Sequence, residues 1–200
     1  MTSSVPSSVL LFGATGTIGR YITEAVLNAR PAFGRITLFT SPATAGSKAE
    51  LLEAWKAKGI RVVVGDVTNP GDVASVYETE KIDTVVSCLG RGALQTQIEL
   101  LRVAEGLGTV KWFFPSEYGT DVEYGPNSRE EKPHQNKLAV RKYIRENVKN
   151  MKVTYLVTGP YFDMWVNRGA VDSLGFFDVG KKEAVIEAGN GRIGFCTMVE

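Results

Sequence analysis

Cysteine is scarce in this chain of 200 residues. Cys88 and Cys196 are too few for a disulfide framework and have no partners at metal-ligand spacing, so no metal is expected and both should be small buried hydrophobic residues. Histidine is scarcer still. His134 stands alone, without a second metal ligand or a Ser or Cys partner at triad spacing, and a structural place at a helix start is expected for it. No apolar run approaches the roughly 20 residues that span a bilayer. The opening Met1-Thr2-Ser3-Ser4-Val5-Pro6-Ser7-Ser8 lacks the basic start and apolar centre of a secretory signal, and the expected location is the cytoplasm. An excess of one charge is missing too: 23 basic residues oppose 22 acidic ones, a net charge of +1. Without a strong overall field, the expected partner is a small molecule rather than nucleic acid or an anionic membrane, and the oligomeric state is left open. Repeats and low-complexity tracts are absent, and 44% hydrophobic with 22% charged residues suits a globular domain.

What the chain does have is alternation. Val9 to Phe12, Arg35 to Phe39, Ile60 to Val64, Ile82 to Val86, Val110 to Phe114 and Lys152 to Thr158 read as short buried strands. Helical patterns fall between them: Ile18 to Ala29, Lys48 to Lys58, Val73 to Tyr77, Leu94 to Val103 and His134 to Val148. Strands apolar on both faces that alternate with helices predict a doubly wound parallel α/β sheet, because each right-handed crossover lays a helix on the sheet. After residue 158 the texture changes. Phe176 to Val179, Ala184 to Ile186 and Ile193 to Thr197 read as short strands separated by turns such as Gly189-Asn190-Gly191. Residues 1–158 are therefore expected to form a nucleotide-binding domain and residues 159–200 the start of a smaller, apparently incomplete substrate-binding region.

Gly13-Ala14-Thr15-Gly16-Thr17-Ile18-Gly19 directly follows the first strand and opens the first helix. In that context glycines permit a tight turn and close approach of a pyrophosphate, while free amides at the helix start face the anion. The bland alternative is a packing turn without a ligand. An NAD site usually places an Asp or Glu at the end of the second strand, and here no acidic residue lies between Glu24 and Glu50. Thr40, Ser41 and Lys48 suit a 2′-phosphate instead, so NADPH is the expected cofactor; an ordinary polar loop with a solvated lysine is the other reading. Asp66 either accepts from the adenine amino group or shapes a turn.

The helix from His134 aligns Lys137, Val140, Ile144 and Val148 on one stripe, with Arg141 and Arg145 beside it and expected to reach water. A lysine partly desolvated near a helix N-terminus has two reasons for a lowered pKa, which makes Lys137 a candidate for handling a proton or ribose hydroxyls. Snorkelling to solvent is its structural alternative. The exit of strand five supplies Ser116, Glu117 and Tyr118 at the edge where such sheets bind ligands. Glu117 either orients Lys137 or the cofactor, or makes a loop hydrogen bond.

Three motifs in order, Gly13 to Arg20, Pro115-Ser116-Glu117-Tyr118-Gly119, and Lys137-Leu138-Ala139-Val140-Arg141 followed by Val153-Thr154-Tyr155, resemble the isoflavone reductase-like group of the NmrA-like family. The resemblance runs from Val9 to the final strand. It implies an atypical short-chain reductase that binds NADPH on a Rossmann domain and transfers hydride to a phenylpropanoid-like or enone-type small molecule. It further implies Lys137 as the catalytic lysine, residues 13 to 19 as the pyrophosphate loop, Lys48 as a 2′-phosphate contact, and Tyr161 and Phe162 beside the nicotinamide. The chain departs from the group where Thr40 or Ser41 replaces the arginine that commonly grips the 2′-phosphate. The same family also suggests a second reading, a non-catalytic sensor of NADP(H). Tyr77 and Lys81 fit the Tyr-x-x-x-Lys spacing of many short-chain dehydrogenases, but they precede strand four and are read as coincidence.

Overall fold

The computed structural model describes residues 6–29, 32–163, 176–178, 180, 182–185 and 196–198. Six strands form one parallel sheet: β1 (Ser8–Phe12), β2 (Arg35–Thr40), β3 (Arg61–Val64), β4 (Thr84–Ser87), β5 (Trp112–Phe114) and β6 (Lys152–Val153). Their order is β3-β2-β1-β4-β5-β6. The chain runs outward from β1 to one edge, returns, and builds the other half beyond β4. The point of reversal, between β1 and β4, is where open α/β sheets form their ligand crevice.

All of β1 is buried, and Leu10 faces Thr37 on one side and Val85 on the other. Side chains alternate between faces along a strand. Leu10, Phe12, Val85 and Phe113 join one apolar cluster with Val73 and Tyr77 of α4 (Pro70–Thr79), Leu100 and Leu101 of α5 (Thr96–Leu107), and Val140 and Ile144 of α6 (Gln135–Asn147). The alternate positions Leu11 and Leu38 are fully buried on the opposite face. Phe12 lies at the centre of the cluster, 5.4 Å from the Phe39 ring and 6.2 Å edge-on to Tyr77. Burial drives the Tyr77 phenol far above its ordinary pKa, and its hydroxyl donates to the Leu100 carbonyl at 3.3 Å. That side chain belongs to the core, and its spacing to Lys81 carries no chemistry.

On the β1–β2 side, α1 (Thr17–Asn28) and α3 (Ala49–Ala57) are joined by a 2.6 Å hydrogen bond from Trp55 Nε1 to Glu24 Oε1. The helix expected over Lys48 to Lys58 is α3, and a further short helix, not expected, precedes it. Ser41 caps α2 (Pro42–Ser47) by accepting from the Thr44 amide at 3.2 Å, Pro42 fits the first turn, and Lys48 is the joint between α2 and α3. The fourth helix begins three residues before the expected Val73, with Asn69 as its cap and Pro70 as its first residue. The sixth strand is shorter than Lys152 to Thr158: after the Thr154 amide donates to the Phe113 carbonyl the ladder ends, close to where its one neighbour β5 ends at Phe114.

Two compact units are present: Met1–Glu117 with Val122–Leu156, and Tyr118–Asp121 with Val157–Glu200. In the second unit β7 (Phe176–Asp178) pairs antiparallel with β8 (Glu183–Val185). An isolated bridge joins Tyr161 to Cys196, where Cys196 is only half-buried instead of buried as expected. Cys88 is buried. The expected turn at 189–191 and residues 193–195 of the last strand lie outside the described residues. Among the described residues no helix is long and apolar enough to cross a membrane, and no cluster of three metal-ligating side chains occurs.

Candidate functional site

The glycine turn leaves β1 at the reversal point and is set by close backbone contacts. Gly13 has φ +70°, and a Cβ there would stand 2.5 Å from the Cys88 carbonyl oxygen at the end of β4. Gly19, in the first turn of α1, is tighter: a Cβ would be 2.1 Å from the Gly13 carbonyl oxygen. That same oxygen accepts from the Gly16 amide at 3.0 Å and closes the turn. The first intrahelical bond of α1 runs from the Arg20 amide to the Gly16 carbonyl. The amides of Thr17, Ile18 and Gly19 therefore precede the helical ladder. Gly16 supplies no side-chain cap, and α1 has no acid in its first turn. A helix start with free amides, no carboxylate of its own and a floor that admits no Cβ fits a pyrophosphate. Ala14 and Gly19 are buried beneath the turn, while Gly16 and Thr17 are exposed above it.

At the neighbouring strand exits, Thr40 is buried at the end of β2, and the exposed Ser41 hydroxyl is already used as the α2 cap. Lys48 is exposed at the far end of α2, about 9 Å along the axis by the rise of 1.5 Å per residue. Asp66, exposed after β3, makes an Asx turn: its Oδ1 accepts from the Thr68 amide at 2.8 Å and the Thr68 hydroxyl at 2.7 Å. These bonds, the amide first, hold its carboxyl below the usual range. Its second oxygen is not used in that turn.

The exit of β5 is fastened to its neighbours. The Ser116 amide donates to Gln97 Oε1 at 2.7 Å and its hydroxyl to the Leu89 carbonyl at 2.9 Å, tying β5 to α5 and to the segment after β4. Glu117 is 1% exposed. Its carboxylate accepts a fork from Arg141, with Nε to Oε1 at 3.1 Å and Nη2 to Oε2 at 3.0 Å, and its backbone carbonyl accepts from Lys137 Nζ at 2.9 Å. Burial lowers the Lys137 pKa; the nearby Glu117 charge opposes the shift, while Arg141 and Arg91 reinforce it. Among the described residues no carboxylate reaches Lys137 Nζ within ion-pair distance. The lysine is half-buried and anchored, not snorkelling.

Arg141 departs from expectation: it is 4% exposed rather than reaching water. The reason is tertiary. The Glu117 carboxylate comes from the β5 exit, Glu123 Oε2 accepts from Nη1 at 3.0 Å, and the Tyr155 ring lies 4.7 Å from the guanidinium. Arg141 in turn holds the Glu123 carboxyl below its usual range. Arg145 is exposed, as expected. His134 is buried at the start of α6 with Nδ1 2.9 Å from the Ser128 carbonyl, a structural place. Tyr161 and Phe162 belong to the second unit; the Thr158 hydroxyl bonds Tyr161 Oη at 2.9 Å, and Phe162 is exposed. Gln97 and Arg141 escape the sequence reading because both are polar residues buried by partners distant in the chain. The four-residue spacing of Lys137 and Arg141 on one helix is the signal available for the second of them.

The sequence profile of the NmrA-like family matches residues 6–169. Phenylcoumaran benzylic ether reductase PT1 of Pinus taeda is 36% identical over 154 residues, covering 74% of this chain and 47% of that protein. Isoflavone reductase of Pisum sativum is 31% identical over 127 residues, covering 58% of this chain and 39% of that one. The solved complex of leucoanthocyanidin reductase with NADPH from Vitis vinifera superposes with a TM-score of 0.66 at 29% identity, covering 77% of this chain and 50% of that chain. The chain thus spans about half the length of the relatives it matches or less. Family profile, three ordered motifs and a six-stranded Rossmann sheet agree: the chain belongs to the NmrA-like family, among its isoflavone reductase-like members.

Proposed function

We propose that this chain forms the cofactor-binding part of an NADPH-dependent reductase acting on a phenylpropanoid-like or enone-type small molecule. The observation that carries the reading is the pairing of an anion-accepting glycine turn at the sheet reversal with an anchored, partly desolvated lysine at the β5 exit. The likeness to reductases, one of them solved with NADPH, favours an enzyme over a non-catalytic sensor. The amides of residues 17 to 19 would hold the diphosphate, Thr40 and Lys48 the 2′-phosphate end, Asp66 the adenine, and Ser116 the nicotinamide end, while the Ser41 hydroxyl stays with its α2 cap. The cofactor supplies the hydride when bound.

Lys137 supplies the proton side of the chemistry. Its Nζ has three donors; the Glu117 carbonyl takes one and leaves two for an oxygen that gains negative charge. Partial burial strengthens that interaction and moves its pKa toward neutrality, where an ammonium gives up its proton more readily. A cytoplasmic location suits a soluble cofactor of this kind. The test is NADPH oxidation against a panel of phenylcoumarans, isoflavones and enones. Lys137→Met should lose turnover and keep NADPH binding; unchanged turnover refutes the assignment, and a protein that binds NADPH but reduces nothing refutes the enzyme.

A further inference from the structure

Lys137 and Arg141 are one helical turn apart on α6, and both grip the same residue from different sides. Arg141 takes both carboxylate oxygens of Glu117, and Lys137 takes its backbone carbonyl. The division is not forced by distance along the helix, since a lysine at that place would find a buried carboxylate a stronger partner than a neutral carbonyl. It follows from geometry: a guanidinium fork matches two carboxylate oxygens, whereas an ammonium does not. Arg141 is itself held by Glu123 and by the Tyr155 ring, so the fork is fixed from three sides.

We propose that Arg141 is the positioning residue of this site: by occupying both oxygens of Glu117 it keeps that carboxylate off Lys137 and leaves the ammonium on the Glu117 carbonyl with two donors free. The proposal rests on the assignment of Lys137 as the proton-handling group and adds how its partner is chosen. The charged groups facing Lys137 are Glu117 from the β5 exit, Arg141 from its own helix, and Arg91 from the segment after β4; Glu123 and Tyr155 act on Arg141. Each partner of the pair then has an opposite effect. Removing the guanidinium frees a buried carboxylate to capture the ammonium. Removing the carboxylate leaves a buried cation beside it.

The experiment is competitive acetylation of the protein with trace acetic anhydride across pH, with the Lys137 peptide followed by mass spectrometry. Its labelling midpoint should rise by about one pH unit in Arg141→Gln and fall by about one unit in Glu117→Gln. Should Arg141→Gln fail to fold, the double variant E117Q/R141Q, which removes both buried charges, is compared with E117Q alone, and its midpoint should be the higher. Shifts in the same direction, or none, overturn the proposal, because loosened packing alone gives no opposed pair. Opposed shifts in a protein that reduces nothing uphold the positioning role and remove the reductase reading.

Discussion

Gly19→Ala sets two effects against each other, and the structure decides between them. Gly19 is the third residue of α1. Alanine is favoured over glycine inside a helix by about 1 kcal/mol, which alone would stabilise the protein. Against this, the new Cβ would lie 2.1 Å from the Gly13 carbonyl oxygen and 2.8 Å from the Ala14 carbonyl carbon, where ordinary contact begins at 3.4 Å. Backbone must therefore give by about 1.3 Å, and forced overpacking of this kind costs about 1–3 kcal/mol. The net is a loss of up to about 2 kcal/mol, or up to about 8 °C in Tm for a chain of this size. The oxygen that must move is the one closing the turn onto the Gly16 amide. The anion cradle goes with it, and NADPH affinity should fall at least about tenfold, or 1.4 kcal/mol. Gly106→Ala is the control. Gly106 is in α5 with nothing within 4 Å of its Cβ position, so the same substitution should raise Tm by about 2–4 °C and leave NADPH binding alone. Thermal unfolding by circular dichroism and NADPH titration by fluorescence read both. Equal stability and equal NADPH affinity in the two variants would refute the argument.

Gln97→Met keeps the volume but deletes the acceptor for the Ser116 amide and the donor to the Leu94 carbonyl; it should cost about 1–3 kcal/mol by chemical denaturation and lower kcat more than it raises KM. Arg141→Met leaves the buried Glu117 carboxylate without its fork and should cost about 3–5 kcal/mol by the same measurement, a larger loss than for any exposed pair such as Lys142 with Glu146. The lowered Lys137 pKa has a stability consequence whose sign is fixed. Between the depressed folded value and the ordinary lysine value near 10.4, the unfolded chain holds a proton that the folded one has released, so this group makes stability rise with pH across that window. The difference in unfolding free energy between wild type and Lys137→Met should change accordingly over alkaline pH; a flat difference contradicts the shift.

The six strands and the order of the helices are legible in the sequence because their signal is local: apolar runs such as Val9 to Phe12 and stripes such as Val140 and Ile144 need only the periodicity of each element. Ser41-Pro42 carries a local signal too, a cap followed by a first-turn proline, and it starts the short helix that precedes Lys48. The two-residue length of β6 is not local, since it depends on its pairing with β5, a strand that itself ends at Phe114. Arg141 shows the limit most clearly. Helix arithmetic places it beside the buried stripe, and charged side chains usually face water. Only a carboxylate brought in from 24 residues earlier reverses that preference. The glycine turn is legible by context, strand then glycines then helix, but the Cys88 carbonyl that dictates Gly13 follows a strand some 75 residues away.

The most direct test is a crystal structure of the protein with NADPH bound. The diphosphate oxygens should lie about 3 Å from the amides of residues 17 to 19, with the nicotinamide ring beside Lys137 Nζ and that nitrogen still on the Glu117 carbonyl. A nucleotide bound elsewhere, or a nicotinamide remote from Lys137, would contradict the account.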